Sequence, residues 1–179
     1  MKSLTPALFA LVLAGLAPQD KLVDNPEYQG WAGQKAGAWV KFTVETDSGD
    51  KKSPSTMVLK LKEITPEKVV LEQVSIMEVG GKQVETPLTR TVPTKIKEGT
   101  NSEGAKVEKL AEGDEEIDVK GAKTKCHWVE LKWTAKAGAM NIKIWRCESV
   151  VGRAAKLIMT LEKSKMSMTF VALEWKAGE

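Results

Sequence analysis

Histidine, cysteine and tyrosine are nearly absent from this chain of 179 residues, which contains one His, two Cys and one Tyr. A zinc site needs three or four nitrogen, sulfur or oxygen ligands, which these residues do not supply. A histidine-assisted nucleophile would have to be built on His127, with Ser149 or Cys147 nearby. A glycine-flanked nucleophile elbow and a glycine-rich phosphate loop are also missing. We therefore predict no catalytic residue, no metal and no cofactor.

The chain also lacks a concentration of charge of one sign. Its 27 basic and 24 acidic side chains alternate along the sequence and leave a net charge of +3. Without a basic stripe interleaved with aromatic residues, nucleic-acid binding has no support. The same evenness argues against an electrostatic patch for membrane surfaces. One acidic run, residues 112–118, is interpreted as a solvated loop that leads into a strand whose apolar face is Ile117 and Val119.

Long apolar runs are missing except at the N-terminus, where Lys2 precedes the run Leu4–Leu16 and small residues follow up to Ala17. This layout is typical of a secretory signal peptide, and the run is shorter than the roughly 20 residues of a membrane-spanning helix. We predict a signal peptide over residues 1–17 and one exported domain over 18–179, periplasmic or secreted, without a transmembrane segment. An uncleaved N-terminal anchor is the alternative.

What the sequence does contain is alternation of apolar and polar residues. After a short helix signal at Asn25 and Pro26, with Tyr28 and Trp31 on one face, the pattern changes to period 2. The period-2 pattern predicts a mainly β protein of about eight to ten strands. We expect these strands to form a curved antiparallel meander sheet or half-barrel, because a long sheet must shield its edges. The helix at residues 25–33 is expected to plug its open side. The polar stretch 93–116 is the most loop-like segment.

The segment "TKCHWVELKWTAKAGAMNIKIWRCES" predicts a hairpin with a loop at residues 134–139. One register pairs apolar with apolar residues, Glu130 with Lys143, and Cys126 with Cys147. A disulfide between these cysteines would stabilise the fold by roughly 3 kcal/mol, and two reduced cysteines that face each other are the alternative. The same register places His127 opposite Arg146.

The last two strands also pair apolar residues along one face, Leu157 with Phe170 and Met159 with Met168. Flexible methionines could line an adaptable apolar cavity, or fill an ordinary core. The candidates for lining such a cavity are Met57, Leu59, Leu61, Leu157, Met159, Met166, Met168 and Phe170. Three tryptophans fall on the opposite face and form either an exposed patch or a surface covered by the helix; they are Trp39, Trp128 and Trp145.

Three stretches carry a resemblance: "NPEYQGWAGQKAGAWVKFTVET", "VKGAKTKCHWVELKW" and "KIWRCESV". Together they resemble a group of small exported proteins of planctomycete-type bacteria, a group that implies no activity. The sequence departs from that group at Cys147 and at "SVVGRAAKL". The strand order is similar to the curved half-barrels that carry lipoprotein acyl chains across the periplasm.

These observations favour a non-catalytic binding module whose concave face holds a lipid or another small apolar ligand. The alternative is a structural or protein-interaction module that meets another exported protein through exposed tryptophans and a sheet edge. A hydrolase that uses the acidic residues is the third hypothesis.

Overall fold

The structure is a computed structural model that describes residues 21–136 and 138–179, so the predicted signal peptide lies outside the described residues. Over these residues the chain forms one short helix and eleven strands. Within this described part, the helix is too short to cross a membrane. In chain order the elements are β1 (Leu22–Asp24), α1 (Pro26–Trp31), β2 (Trp39–Asp47), β3 (Lys52–Ile64), β4 (Lys68–Val79), β5 (Lys82–Pro93), β6 (Lys95–Lys97), β7 (Lys106–Val119), β8 (Ala122–Ala135), β9 (Gly138–Arg146), β10 (Ala154–Leu161) and β11 (Ser167–Lys176).

Nine of the strands form a single antiparallel sheet in the order β5-β4-β3-β2-β11-β10-β9-β8-β7. Two meanders, β2 to β5 and β7 to β11, are joined by the pairing of β2 with β11. The sheet is not closed, so β5 and β7 are its edges, and β1 pairs separately with β6. The predicted mainly β, antiparallel architecture with one short helix is confirmed.

Alternation gives the sheet an inner and an outer face. We call the face that carries the buried residues Val40, Phe42 and Val44 the inner face, because successive side chains of a strand point to opposite sides. Two tight turns hold the meanders together, at Gly80–Gly81 and Lys120–Gly121, and all four residues have positive φ. Such conformations suit two-residue hairpins and favour glycine.

Helix α1 spans the inner face at one end of the sheet. Asn25 caps it, since its Oδ1 accepts a hydrogen bond from the Glu27 amide at 3.0 Å. The Tyr28 hydroxyl donates to the Thr65 carbonyl after β3 at 2.8 Å. Trp31, 2% exposed, packs on Gly152 in the loop before β10. The helix therefore contacts both halves of the sheet, which requires the sheet to curve around it.

The β8–β9 hairpin has the predicted register. Cys126 and Cys147 are joined with their Cα atoms 4.6 Å apart, and His127 lies opposite Arg146. The predicted loop at residues 134–139 is shorter than expected, because β8 extends to Ala135 and β9 begins at Gly138.

The tryptophans are not beneath the helix. Trp128 and Trp145 pair across β8 and β9 on the outer face, the opposite side from α1. Trp145 is buried, its indole nitrogen donates to Glu115 at 2.8 Å, and the Lys143 ammonium lies 4.0 Å from the Trp128 ring centroid. Of the two alternatives, cover by the helix is not seen for Trp128 and Trp145, and an exposed patch is limited because Trp145 is buried and Trp128 half-buried.

The expectation of a loop over the stretch 93–116 is also wrong for much of its length. Residues 106–119 form β7, a long edge strand that pairs with β8 along its whole length. An edge strand with solvent on one side needs no regular apolar alternation, and its charges protect it from pairing with other chains. The charged residues that suggested a loop are therefore the solvent-facing residues of an edge strand.

Candidate ligand-binding face

Three rows of mostly apolar side chains cross the inner face beyond the part that α1 covers. Residues paired directly across strands lie side by side on one face, so each row follows from the register. We call these rows the methionine-rich face; from the strand ends inward they are Trp133–Met140–Leu161–Met166, Leu131–Ile142–Met159–Met168 and Val129–Ile144–Leu157–Phe170.

Methionine is concentrated on this side of the sheet. The chain has seven methionines, and apart from Met1 every one lies on the inner face by register: Met57, Met77, Met140, Met159, Met166 and Met168. Unbranched thioether side chains adapt to the shape of an apolar partner. A surface composed in this way suits a ligand without a fixed shape.

The methionine-rich face is partly open. Ile142 is 1% exposed and Val129 is 8% exposed, so the floor of the rows is packed. Met159 and Met168 are directly paired and remain half-buried. Toward the β5 edge the inner face continues with Met77 and Leu88, which are 45% and 55% exposed. A ligand would lie along this surface.

The predicted lining residues separate into three groups. All eight lie on the inner face, and five of them belong to the methionine-rich face: Leu157, Met159, Met166, Met168 and Phe170. Met57 and Leu59 lie beside it on β3 and are half-buried. Leu61 is fully buried beside the residues that α1 covers, so it belongs to the core and not to an accessible surface.

The sequence reasoning missed the contribution of β9. Met140, Ile142 and Ile144 share rows with the predicted residues because β9 pairs with β10. The β8–β9 register itself was predictable. The link from β9 to β10 was not, since it passes through a loop and a shift of register between Ala154 and Lys156.

Two arginines lie on the inner face close to the helix, one beside the methionine-rich face and one on β5. Arg146 is the last residue of β9 and lies on the inner face, two positions beyond Ile144. Burial lowers the pKa of Arg146, and the carboxylate of Glu27 acts in the opposite direction. Arg90, on β5, forms an ion pair with the same Glu27, and its Nε is buried without a hydrogen-bond partner.

A second polar cluster lies at the β7 edge. His127 Nδ1 is 3.0 Å from Asp114 Oδ1, and its Nε2 is 3.5 Å from Glu112 Oε2. A hydrogen bond from Lys109 lowers the pKa of Glu112. These side chains are exposed, and no group of three His, Cys, Asp or Glu residues within the described part of the chain is arranged to hold a metal ion. Glu115 points to the outer face toward Trp145, so the acidic run is divided between two faces.

A shallow groove of about 620 Å³ also lies over β2, β3, β4 and β11, mainly on the outer face. Hydroxyl and carboxylate side chains form much of its lining, including Thr43, Glu45, Thr56 and Thr169. Apolar side chains such as Ile76 and Val171 complete the lining, so the groove is mixed in character and open to solvent.

No protein-family model matches the chain, and no curated protein matches it in sequence. Several solved structures are similar in fold. A Bacteroides fragilis protein with a YmcC-like fold has a TM-score of 0.45 and 9% identity, over 80% of this chain and 97% of its own. A Vibrio parahaemolyticus domain described for outer membrane lipoprotein sorting has a TM-score of 0.36 and 10% identity, over 84% and 88%. A LolA superfamily protein from Nitrosomonas europaea has a TM-score of 0.33 and 11% identity, over 86% and 91%.

Proposed function

We propose that this protein is an exported, non-catalytic binding module that holds an acyl chain or another apolar ligand on the methionine-rich face. The observation that carries the proposal is the set of three adjoining apolar rows on one face of four strands, next to an end plugged by α1. In a fully packed core these apolar side chains would be buried. Here they stay partly exposed to water, which is unfavourable unless a ligand covers them. Half-buried Met159 and Met168 at their centre fit a surface that a ligand completes.

The competing functions have less support in the side chains. The tryptophans that would form a protein-interaction patch are buried or half-buried on the outer face. The carboxylates that would serve a hydrolase alternate between faces or pair with Lys109 and His127 at an exposed edge. Export, with a signal peptide over residues 1–17 and an oxidised Cys126–Cys147 pair, is part of the same proposal.

The test compares two neighbouring substitutions on β11. Met168→Lys places a charge in the middle of the methionine-rich face, whereas Thr169→Lys places the same charge on the outer face, and both positions are half-buried. Each protein would be purified gently from its export compartment and weighed by native and then denaturing mass spectrometry. We expect a non-covalent added mass on the wild type and on Thr169→Lys that is absent from Met168→Lys.

Folding would be checked by circular dichroism on each variant. Equal ligand occupancy of the two lysine variants would contradict the proposal, because it would place the ligand away from the methionine-rich face. A wild type that carries no added mass and binds none of the long-chain amphiphiles offered to it in vitro would also contradict it.

A further inference from the structure

We propose that the ligand is an anionic amphiphile, with its chain along the methionine-rich face and its carboxylate or phosphate at the guanidinium of Arg146. This inference rests on the proposed function and adds the chemical class of the ligand.

The position of Arg146 makes the inner face of β9 amphipathic along its length. Arg146, Ile144, Ile142 and Met140 occupy alternate positions of one strand and therefore the same face. At about 3.3 Å per residue they span roughly 20 Å, with the charge at one end and apolar side chains over the rest. A ligand with a charged head and a long apolar tail has the same division.

Arg146 is desolvated without a direct partner. Arg146 is partly buried, and this partial desolvation lowers the pKa of its guanidinium. Within the described residues no ion pair or side-chain hydrogen bond involves its guanidinium. The residue opposite it, His127, is occupied with Asp114 and Glu112. A partly buried guanidinium without a protein partner leaves its donors free, and an oxyanion that binds there would accept charge-assisted hydrogen bonds from it.

The surrounding charge favours an anion as well. Glu27 is the carboxylate that acts on Arg146, and it also forms the ion pair with Arg90. Glu27 thus pairs directly with an arginine of one half of the sheet and acts at longer range on an arginine of the other half. The Nε of Arg90 is buried without a hydrogen-bond partner, so Glu27 does not satisfy all the donors of that guanidinium.

The experiment measures binding of dodecanoate, dodecyl phosphate and dodecanol, below their aggregation concentrations, to the exported form by calorimetry. We expect Arg146→Gln to weaken the two anionic ligands by about tenfold or more, the loss typical of one charge-assisted hydrogen bond, and to leave dodecanol nearly unchanged. Arg146→Lys should recover part of the affinity. Arg153→Gln, which removes an exposed arginine from the neighbouring loop, is the matched control and should change none of the three.

Each remaining outcome overturns a defined part of the assignment. If Arg146→Gln changes all three ligands equally or none, the head group does not bind at Arg146 while the apolar site stands. If inorganic phosphate competes as strongly as dodecyl phosphate, the arginines form a site for free anions. If wild type binds none of the amphiphiles, the proposed function itself fails. A melting temperature of Arg146→Gln at or above that of the wild type shows that lost affinity is not lost folding.

Discussion

Two glycines decide how closely the helix approaches the rest of the molecule. A Cβ added to Gly30 would lie 2.5 Å from the Gly152 carbonyl oxygen, and one added to Gly152 would lie 2.9 Å from the Trp31 ring. Real Cβ atoms are not found at such distances, and Gly152 also has a φ of +74°. The contact that places Trp31 over the loop before β10 therefore depends on residues without side chains.

We expect Gly152→Ala to lower the free energy of unfolding by about 2–3 kcal/mol, because it combines backbone strain with a clash against Trp31. Gly49→Ala is the matched control, since Gly49 has a φ of +89° and open space where its Cβ would be. It should cost only the strain, about 1 kcal/mol. Urea unfolding measures both, and equal losses would show that the Trp31 contact adds nothing.

Asn25 performs two tasks at the same place. Its Oδ1 caps α1, and its Nδ2 donates to the Pro93 carbonyl at 2.8 Å and to Ser102 Oγ at 3.0 Å. It is 2% exposed, so each of these groups would be costly to leave unpaired. One side chain thereby fixes the start of the helix against the end of β5.

Among the elements, the β8–β9 hairpin joins the apolar rows of the inner face to the tryptophan pair of the outer face. The Cys126–Cys147 link holds its open end, one position beyond Arg146. Because the link closes a loop with a sequence separation of 21, we expect Cys126→Ala/Cys147→Ala to lose about 3 kcal/mol of stability.

Thermal unfolding of the double variant, and of the wild type with and without a reductant, measures that loss. Intact mass after thiol alkylation gives the oxidation state directly. Two alkylated cysteines in the exported protein without reductant would contradict the disulfide, and an unchanged melting temperature of the double variant would contradict its contribution.

The hairpins are also the elements that the sequence could predict. In β8–β9 and β10–β11 a short turn and two alternating runs leave one register that matches apolar with apolar residues, and this is the register observed. The pairing of β2 with β11 could not be predicted, because partners such as Thr43 and Val171 are 128 residues apart and no turn fixes their alignment. The first part of β7 escaped prediction because edge strands are often polar, whereas its end at Ile117 and Val119 was predicted as a strand.

The residues of the candidate site were likewise predictable where they lie in one hairpin and unpredictable where they depend on long-range pairing. Met159, Met166 and Met168 were found because they lie in one predicted hairpin. Met140 required the long-range knowledge that β9 adjoins β10. The proximity of Arg90 and Arg146 to one carboxylate required more still, since it arises from the curvature of the whole sheet around α1.

At the scale of the whole molecule, Glu27 links the two halves of the sheet. It stands near the start of α1 and acts on Arg90 of one meander and on Arg146 of the other. The same carboxylate therefore holds the plug in place and neutralises charge that a bound anion would otherwise meet. Stability of the empty protein and affinity for an anionic ligand are opposed at this residue.

We expect Glu27→Gln to lower the melting temperature of the empty protein, because Arg90 loses its ion-pair partner and Arg146 loses the carboxylate that offsets its burial. The same substitution should raise the affinity for dodecanoate several-fold, with no change for dodecanol, because a competing negative charge has been removed.

Glu103→Gln, at an exposed carboxylate of the loop that follows β6, is the control for a general change of charge. In the double variant Glu27→Gln/Arg146→Gln the gain for dodecanoate should disappear. A gain that persists without Arg146 would show that Glu27 acts by loosening the plug, whereas a loss of affinity in the single variant would show that the helix must be held in place for the ligand to bind.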